Sequence, residues 1–326
     1  MARHALTPTC LKLVQALESV VPAALAESGF NNVRIGLSWG ADSLALTAAA
    51  VWARDHRRGP LAGISMSVRV VDHGLQSGSA DIARTAADQA EQLGVAADIV
   101  RVAVDPTGVG VEAAARESRY AALSQGGDAL ILLAHTLDDQ AETVLLGLAR
   151  GSGVRSLSGM APVRGRFVRP FLTVRRTDTE QACRDWGLAY WTDPTNSDPS
   201  YTRSRLRSAM STLDSTLGPG FADALARTAD LARIDADYID DQVQATGIDT
   251  SQPTLSIDSL ASIQPAIRHR ILLVWLRTLS EDQVTRAHVL CVDSLITDWH
   301  GQKSIPVPRG QVVRKGIFLQ IEPLAP

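Results

Sequence analysis

The sequence is short of paired cysteines, lysines, long apolar runs and repeats. Its three cysteines, Cys10, Cys183 and Cys291, stand far apart. That spacing excludes a CxxC metal or redox pair, and it argues against a disulfide framework. A reducing, cytoplasmic compartment is the simpler expectation. No uninterrupted apolar run approaches the ~20 residues of a membrane span. The N-terminus, MARHALTPTC, carries charge without the apolar stretch of a secretory signal. No internal repeat and no low-complexity tract is present. A membrane protein, a secreted knot and a fibrous repeat are therefore not expected. The remaining composition is that of a soluble globular protein, with 45% hydrophobic and 21% charged residues. At ~150 residues per domain, 326 residues suggest two domains, each able to bury a core.

Lysine is nearly absent. Lys12, Lys303 and Lys315 stand against 29 arginines. Coding bias accounts for such a ratio across a whole chain, but not for clustering. Between Arg150 and Arg207 there are 11 arginines and 5 carboxylates, so this stretch carries +6 in a chain of net charge −3. A localised basic patch on an acidic protein points to an anionic partner. The planar guanidinium suits phosphate oxygens and stacks on bases.

Up to residue 150, apolar strands alternate with helical stretches. Strands are expected at 33–37, 64–71, 97–104 and 129–134. Helices are expected at 11–28, 42–56, 79–93, 111–124 and 138–150. This alternation predicts a parallel sheet covered on both faces, a doubly wound α/β domain with ligands at the carboxyl ends of its strands. Residues 151–175 read as a long functional loop, followed by a helix at 176–187 and the turn-rich DPTNSDPSYTRSRLR leading into another helix. Gly218-Pro219-Gly220 breaks helix continuity. It divides an expected catalytic domain, 1–217, from a smaller, mainly helical domain, 218–326. In the latter, helices are expected at 220–245, 259–263, 265–279 and 284–297, with short strands at 254–257, 304–307, 311–314 and 317–321.

Four constellations carry chemistry. Gly36-Leu37-Ser38-Trp39-Gly40-Ala41-Asp42-Ser43 lies where a strand turns into a helix. Small residues there let backbone N–H groups approach phosphate at a helix N-terminus, and Asp42 could hold magnesium. The plainer alternative is a helix start capped by Asp42 or Ser43. Asp72-His73-Gly74, at the end of the next strand, fits the edge of a nucleotide pocket. His135-Thr136-Leu137-Asp138-Asp139-Gln140-Ala141-Glu142 opens the helix after the most apolar strand. Asp138 with Glu142, or Asp139 with Glu142, could share a helical face. Complementing the helix dipole explains one or two acids. The observed density suits binding an ammonium group or metal, or accepting a proton. The fourth constellation is basic: Arg116 and Arg119, then Arg150, Arg169, Arg203, Arg205 and Arg207. Alternate arginines at 203–207 are spread around a helix rather than along one side.

Together and in order, SxGxDS, VDHGL, ARxxRYxxL, HTxDDQxETxLLxLxRGSG, RPxL and DPxNxDxxYxRxRxR resemble the tRNA(Ile)-lysidine synthetase family of PP-loop ATP pyrophosphatases. The resemblance is close over residues 33–207. It implies an adenine nucleotide alpha hydrolase-like fold and a ligase reaction. Free L-lysine is joined to C2 of the first anticodon cytidine of an isoleucine tRNA with a CAU anticodon. ATP becomes AMP and pyrophosphate, and the intermediate is an adenylated cytidine. On this resemblance Ser38, Trp39, Gly40, Ala41, Asp42, Ser43, Asp72, His73 and His135 would line the nucleotide site, with Mg2+ on Asp42. Asp138, Asp139, Glu142, Arg119 and Arg203 would bind substrates. Asp42, Asp139, Glu142, Arg116 and Arg205 would serve catalysis. A homodimer and a single C-terminal domain are further expectations.

The family loop reads SGGxDS, and here Trp39 replaces the first glycine of the pair. Glycine at such a place serves close backbone approach or positive φ. An indole there either obstructs ATP, shifts the loop or points outward. Obstruction would weaken ATP binding and make the chain an impaired RNA-binding homologue. Ser204 stands where the family often has Asn. A PP-loop thiolase would need paired cysteines, which are lacking here. Another PP-loop ligase, acting on a small molecule, would not need the arginine-rich stretch.

Overall fold

Val33, Ile35 and Leu37 alternate along the first strand and are fully buried on one side of the sheet. The strand after the third crossover splits its residues between faces. Leu130 and Leu132 join the core of Val33 and Ile35, and Ile131 and Leu133 join Leu123 on the other side. This period-two division is what a strand buried on both faces requires. The computed structural model describes residues 6–56, 59–74, 78–104, 107, 111–193, 202–279 and 284–323. The chain forms two compact units, Met1–Asp230 and Leu231–Pro326.

In the first unit the order is α1 (Pro8–Glu18), α2 (Val21–Ser28), β1 (Asn32–Leu37), α3 (Ala41–Asp55), β2 (Ser65–Asp72), α4 (Ser79–Gln92), β3 (Ala96–Arg101), α5 (Val111–Ser124), β4 (Leu130–Leu132) and α6 (Leu137–Ala149). Then come α7 (Val154–Leu157), β5 (Val163–Arg164), β6 (Phe167–Val168), a 3-10 turn at Pro170–Thr173, α8 (Arg176–Asp185) and α9 (Thr202–Leu217). The sheet order is β3-β2-β1-β4-β6-β5. All pairs are parallel except β5 with β6. Helices cover both faces. Leu13, Leu17 and Leu46 share the core of Val33, while Leu123 and Tyr120 of α5 pack on the opposite side. Gly36 permits that approach, since a Cβ there would lie 3.2 Å from Leu123. Arg34 and Arg69 donate to the carbonyls of Ala122, Leu123 and Gln125, which ties the end of α5 to β1 and β2.

The structure departs from the sequence reading in three places. The expected helix at 11–28 is two helices. Pro22 in the first turn of α2 lacks the N–H a continuous helix would need. The whole segment Pro8–Ser28 is long and apolar enough to cross a membrane. Here its apolar side chains Leu13, Val14, Leu17 and Val21 lie in the core. The expected loop 151–175 contains α7, a two-residue antiparallel hairpin around Gly165 (φ 56°) and the 3-10 turn. Finally, α10 (Phe221–Ala245) begins just past the glycines that break helix continuity. Its first turns still belong to the first unit: Ala222, Leu225 and Ala229 pack with Leu137, Ala141 and Val144 of α6.

The second unit holds the rest of α10 and β7 (Thr254–Ser256), α11 (Ile257–Ala261), α12 (Pro265–Arg277), α13 (Arg286–Thr297), β8 (Ile305–Val307), β9 (Gly310–Lys315) and β10 (Phe318–Pro323). Its strands form an antiparallel sheet ordered β7-β10-β9-β8. Trp275, Leu272, Val312 and Leu319 are fully buried between helices and sheet.

Candidate active site

β1 pairs in parallel with β2 on one side and β4 on the other. The strand order therefore reverses between β1 and β4, and the crevice outside their carboxyl ends is where such sheets bind ligands. Residues 38–43 leave from β1, 135–142 from β4, and Asp72-His73 from β2. The sheet thus brings three of the four constellations to one edge.

Gly40 is the N-cap of α3 and supplies no side chain. Asp42 does not cap the helix. Its carboxylate accepts from the Thr179 hydroxyl and from Arg176 Nε at 3.3 Å. Ser43 Oγ accepts from the Ser38 N–H at 3.1 Å and lies 3.2 Å from Ser38 Oγ. Trp39 is left-handed, with φ 61°, a region that costs a non-glycine residue about 1–2 kcal/mol. Its indole N–H turns to Gln89 Oε1 at 3.1 Å and the Ala189 carbonyl at 3.2 Å. The ring itself is half-buried against the core rather than turned to solvent.

The acidic block is organised around three arginines. Thr136 caps α6, and Asp139 Oδ2 returns to the Thr136 N–H at 2.8 Å, so one oxygen of Asp139 does serve a helix start. Its other oxygen accepts from Arg176 Nη2 at 2.7 Å and lies 3.9 Å from Arg207. Glu142 accepts from Arg207 Nε at 2.8 Å. Asp139 and Glu142 thus share the face toward Arg207. Asp138 turns elsewhere, to Arg175 at 3.0 Å and the Arg176 backbone N–H at 2.8 Å. Arg175 also binds Asp223 at 2.5 Å.

The protonation of these acids differs. Burial pushes Asp42 up to about 6, against the pull of Arg176 and Thr179. Burial also raises Glu142, opposed by Arg207. Asp139 is buried as well, but Arg176 and the Thr136 N–H hold it below the usual carboxylate range. Arg176 is desolvated, yet its acidic neighbours raise it, so it stays charged.

The opposite wall is basic. Burial keeps His135 neutral, helped by Arg169, Arg119 and Arg116. Burial and Arg119 lower His73 as well. Nδ1 of each ring is buried without a partner. Arg116 donates to the Tyr120 hydroxyl at 3.1 Å. Among the described residues, no hydrogen bond or ion pair holds the Arg119 guanidinium. A cavity of about 100 Å³ lies among Ser38, Arg69, His73, Arg119 and Leu123. Asp72 serves its own turn instead, accepting from the Gly74 N–H at 2.9 Å. That bond and Arg101 outweigh burial and lower its pKa. Arg205 has a partner of its own. The Arg203 side chain lies outside the described residues. A larger concavity of about 600 Å³, lined by Thr246, Gln252, Leu255 and Ser259, belongs to the second unit and holds none of these groups.

Arg175, Arg176 and Thr179 were not singled out from the sequence. A signal was available: two arginines at a helix start oppose the dipole and need a reason to be there. Among the described residues no group of three His, Cys, Asp or Glu forms a closed metal site. Asp42 and Asp139 nonetheless converge on one guanidinium. Such a pair fits magnesium, which uses one or two carboxylates beside substrate phosphates.

Residues 13–213 match the PP-loop domain family, and residues 255–316 match the TilS substrate binding domain. A tRNA(Ile)-lysidine synthase of Leifsonia xyli subsp. xyli is 48% identical, covering 89% of this chain and 90% of the relative. The chain belongs to the tRNA(Ile)-lysidine synthase family. A Rhodococcus erythropolis family member is 43% identical over 93% of this chain and 91% of its own. Among solved structures, the U34-tRNA thiolase NcsA from Methanococcus maripaludis, with its [4Fe-4S] cluster, aligns with TM-score 0.52. It covers 69% of this chain and 80% of its own, at 18% identity, which speaks for the fold alone. In the present lysidine synthase family member all three cysteines are free, two of them buried.

Proposed function

We propose that this chain ligates L-lysine to C2 of the first anticodon cytidine of an isoleucine tRNA with a CAU anticodon, converting ATP to AMP and pyrophosphate. One observation carries this reading. Five carboxylates, Asp42, Asp138, Asp139, Glu142 and Asp223, surround three guanidiniums, those of Arg175, Arg176 and Arg207. The deficit of positive charge lies beside a nucleotide loop and suits a cationic substrate. Family membership supports the same reaction.

In the first step the cytidine O2 attacks the α-phosphorus and pyrophosphate leaves. Ser38, Ser43 and the backbone N–H groups at the start of α3 face the phosphates. Arg116 and Arg119 approach from the basic wall. Asp42 and Asp139 would hold magnesium, which when bound neutralises phosphate charge. In the second step the lysine ε-amine attacks C2 and AMP departs with the former O2. The ammonium must first lose a proton. Asp139, held ionised, attracts the ammonium. Glu142, raised by burial, accepts the proton. Arginines of the 150–207 stretch take the RNA backbone. With tRNA and ATP as substrates, the reaction belongs in the cytoplasm.

Radiolabelled lysine, ATP and magnesium with a CAU isoleucine tRNA transcript test this. Label entering that RNA and not a methionine tRNA is expected. Label in neither RNA, with both binding, overturns the reading. The impaired-homologue alternative has no support in the geometry, because the indole of Trp39 makes its hydrogen bonds away from the loop's hydroxyls.

A further inference from the structure

Trp39 stands where the family reads glycine, and three other residues are arranged around it. The indole N–H is shared between Gln89 of α4 and the carbonyl of Ala189. Gln89 in turn donates its Nε2 to that same carbonyl at 2.8 Å, closing a ring of three hydrogen bonds. The Trp39 carbonyl accepts from the Trp191 N–H at 3.0 Å. The ring packs partly buried beside the core that also takes Trp186, Leu188 and Tyr190. An incidental tryptophan in a strained backbone would not be expected to have its single polar atom doubly satisfied by a matched partner.

Position along the chain gives the network its meaning. Residues 189–191 follow α8, whose Arg176 and Thr179 grip Asp42 of the same loop. They precede α9, whose Arg207 grips Glu142. The arginine-bearing segment is therefore anchored at the acidic block by its far end and at the nucleotide loop, through Trp39, by its near end. We propose that Trp39 is a positioning residue that clasps residues 189–191 to the nucleotide loop and so sets the placement of the arginine-rich helix that meets tRNA. This rests on the lysidine synthase reading given above. The tryptophan neither occupies the ATP site nor merely fills space.

The experiment compares wild type with Trp39→Gly, Trp39→Phe and Gln89→Leu. Trp39→Gly relieves the positive φ and removes the ring. Trp39→Phe keeps the ring's packing and loses only the N–H, so it remains informative if the glycine variant folds poorly. Equilibrium binding of ATP and of tRNA is measured directly, and KM and kcat are then measured for each substrate. Losing one or two neutral hydrogen bonds predicts a roughly three- to tenfold weaker Kd and higher KM for tRNA in all three variants. ATP affinity stays within about twofold, and Trp39→Phe combined with Gln89→Leu, which removes the last bond to Ala189, is worse than either alone but less than the sum of the two. Tighter ATP binding in Trp39→Gly, with tRNA unaffected, would mean obstruction and overturn the proposal. Unchanged binding of both would reduce Trp39 to packing and overturn it equally. Because the Kd values need no turnover, absence of lysidine from the wild type would sink the function reading and leave the clasp still tested.

Discussion

Each unit contains a buried arginine–carboxylate cluster, and the two are built on opposite principles. In the second unit Asp293 accepts from Arg268 Nε at 2.6 Å and Nη2 at 3.2 Å, and lies 3.2 Å from His269 Nε2. Arg268 adds a bond to the Ile263 carbonyl at 2.7 Å. One carboxylate faces a guanidinium and an imidazole, and although burial opposes it, those bonds lower its pKa. In the first unit five carboxylates share three arginines, and burial leaves Asp42 and Glu142 raised. A cluster that satisfies its own charges holds a fold together. A cluster left short of positive charge at the carboxyl ends of a parallel sheet is suited to receive it from a ligand.

Substitutions can break this contrast. The largest effect is expected from Glu142→Gln, which keeps size and removes the base. Lysidine formation should fall about 10²–10⁴-fold with little change in unfolding midpoint, and near-normal turnover would assign the proton elsewhere. Asp293→Asn should do the reverse. Leaving Arg268 buried without its partner costs about 3–5 kcal/mol in urea unfolding, while kcat of the folded fraction holds. Loss of kcat at full stability would erase the distinction between the clusters.

Asp42→Asn sharpens the comparison through pH. The folded protein lifts Asp42 from 3.8 to about 6, so it favours the protonated acid. That contribution is full below pH 3.8 and is lost as pH rises through 6. The neutral asparagine should therefore stabilise the ligand-free protein by up to about 3 kcal/mol at pH 8, and by almost nothing near pH 4. Parallel urea curves at both pH values would refute it. The smallest effect belongs to an exposed pair. Asp128→Ala removes the partner of Arg166 at 3.0 Å and should shift stability by no more than about 1 kcal/mol, with activity unchanged.

Much of this was legible from residue order. The most apolar strand is followed at once by His135, Asp138, Asp139 and Glu142, and a strand that runs into a polar helix start declares both the turn and the site. Ser38–Ser43 was legible for the same reason. The partners of these acids were not. Arg176 meets Asp139 across 37 positions and Asp42 across 134, and no local period records such distances. β5 and β6 have two residues each, too few to show alternation. The positive φ of Trp39 was legible only through the glycine that the resemblance led one to expect there.

Among the described residues, the sheet of the first unit ends in two strands of different kinds. At one end β5 offers two residues, and the tight hairpin around Gly165 leaves little ladder for a stray strand to join. At the other end β3 runs six residues with Ile99 44% exposed. Asp98, paired with Arg69, and Arg101 supply charge along it. Charged side chains on an edge discourage unwanted strand addition. When this protein is stressed or overproduced, β3 is therefore where self-association would start, and Asp98 and Arg101 are the residues that guard against it.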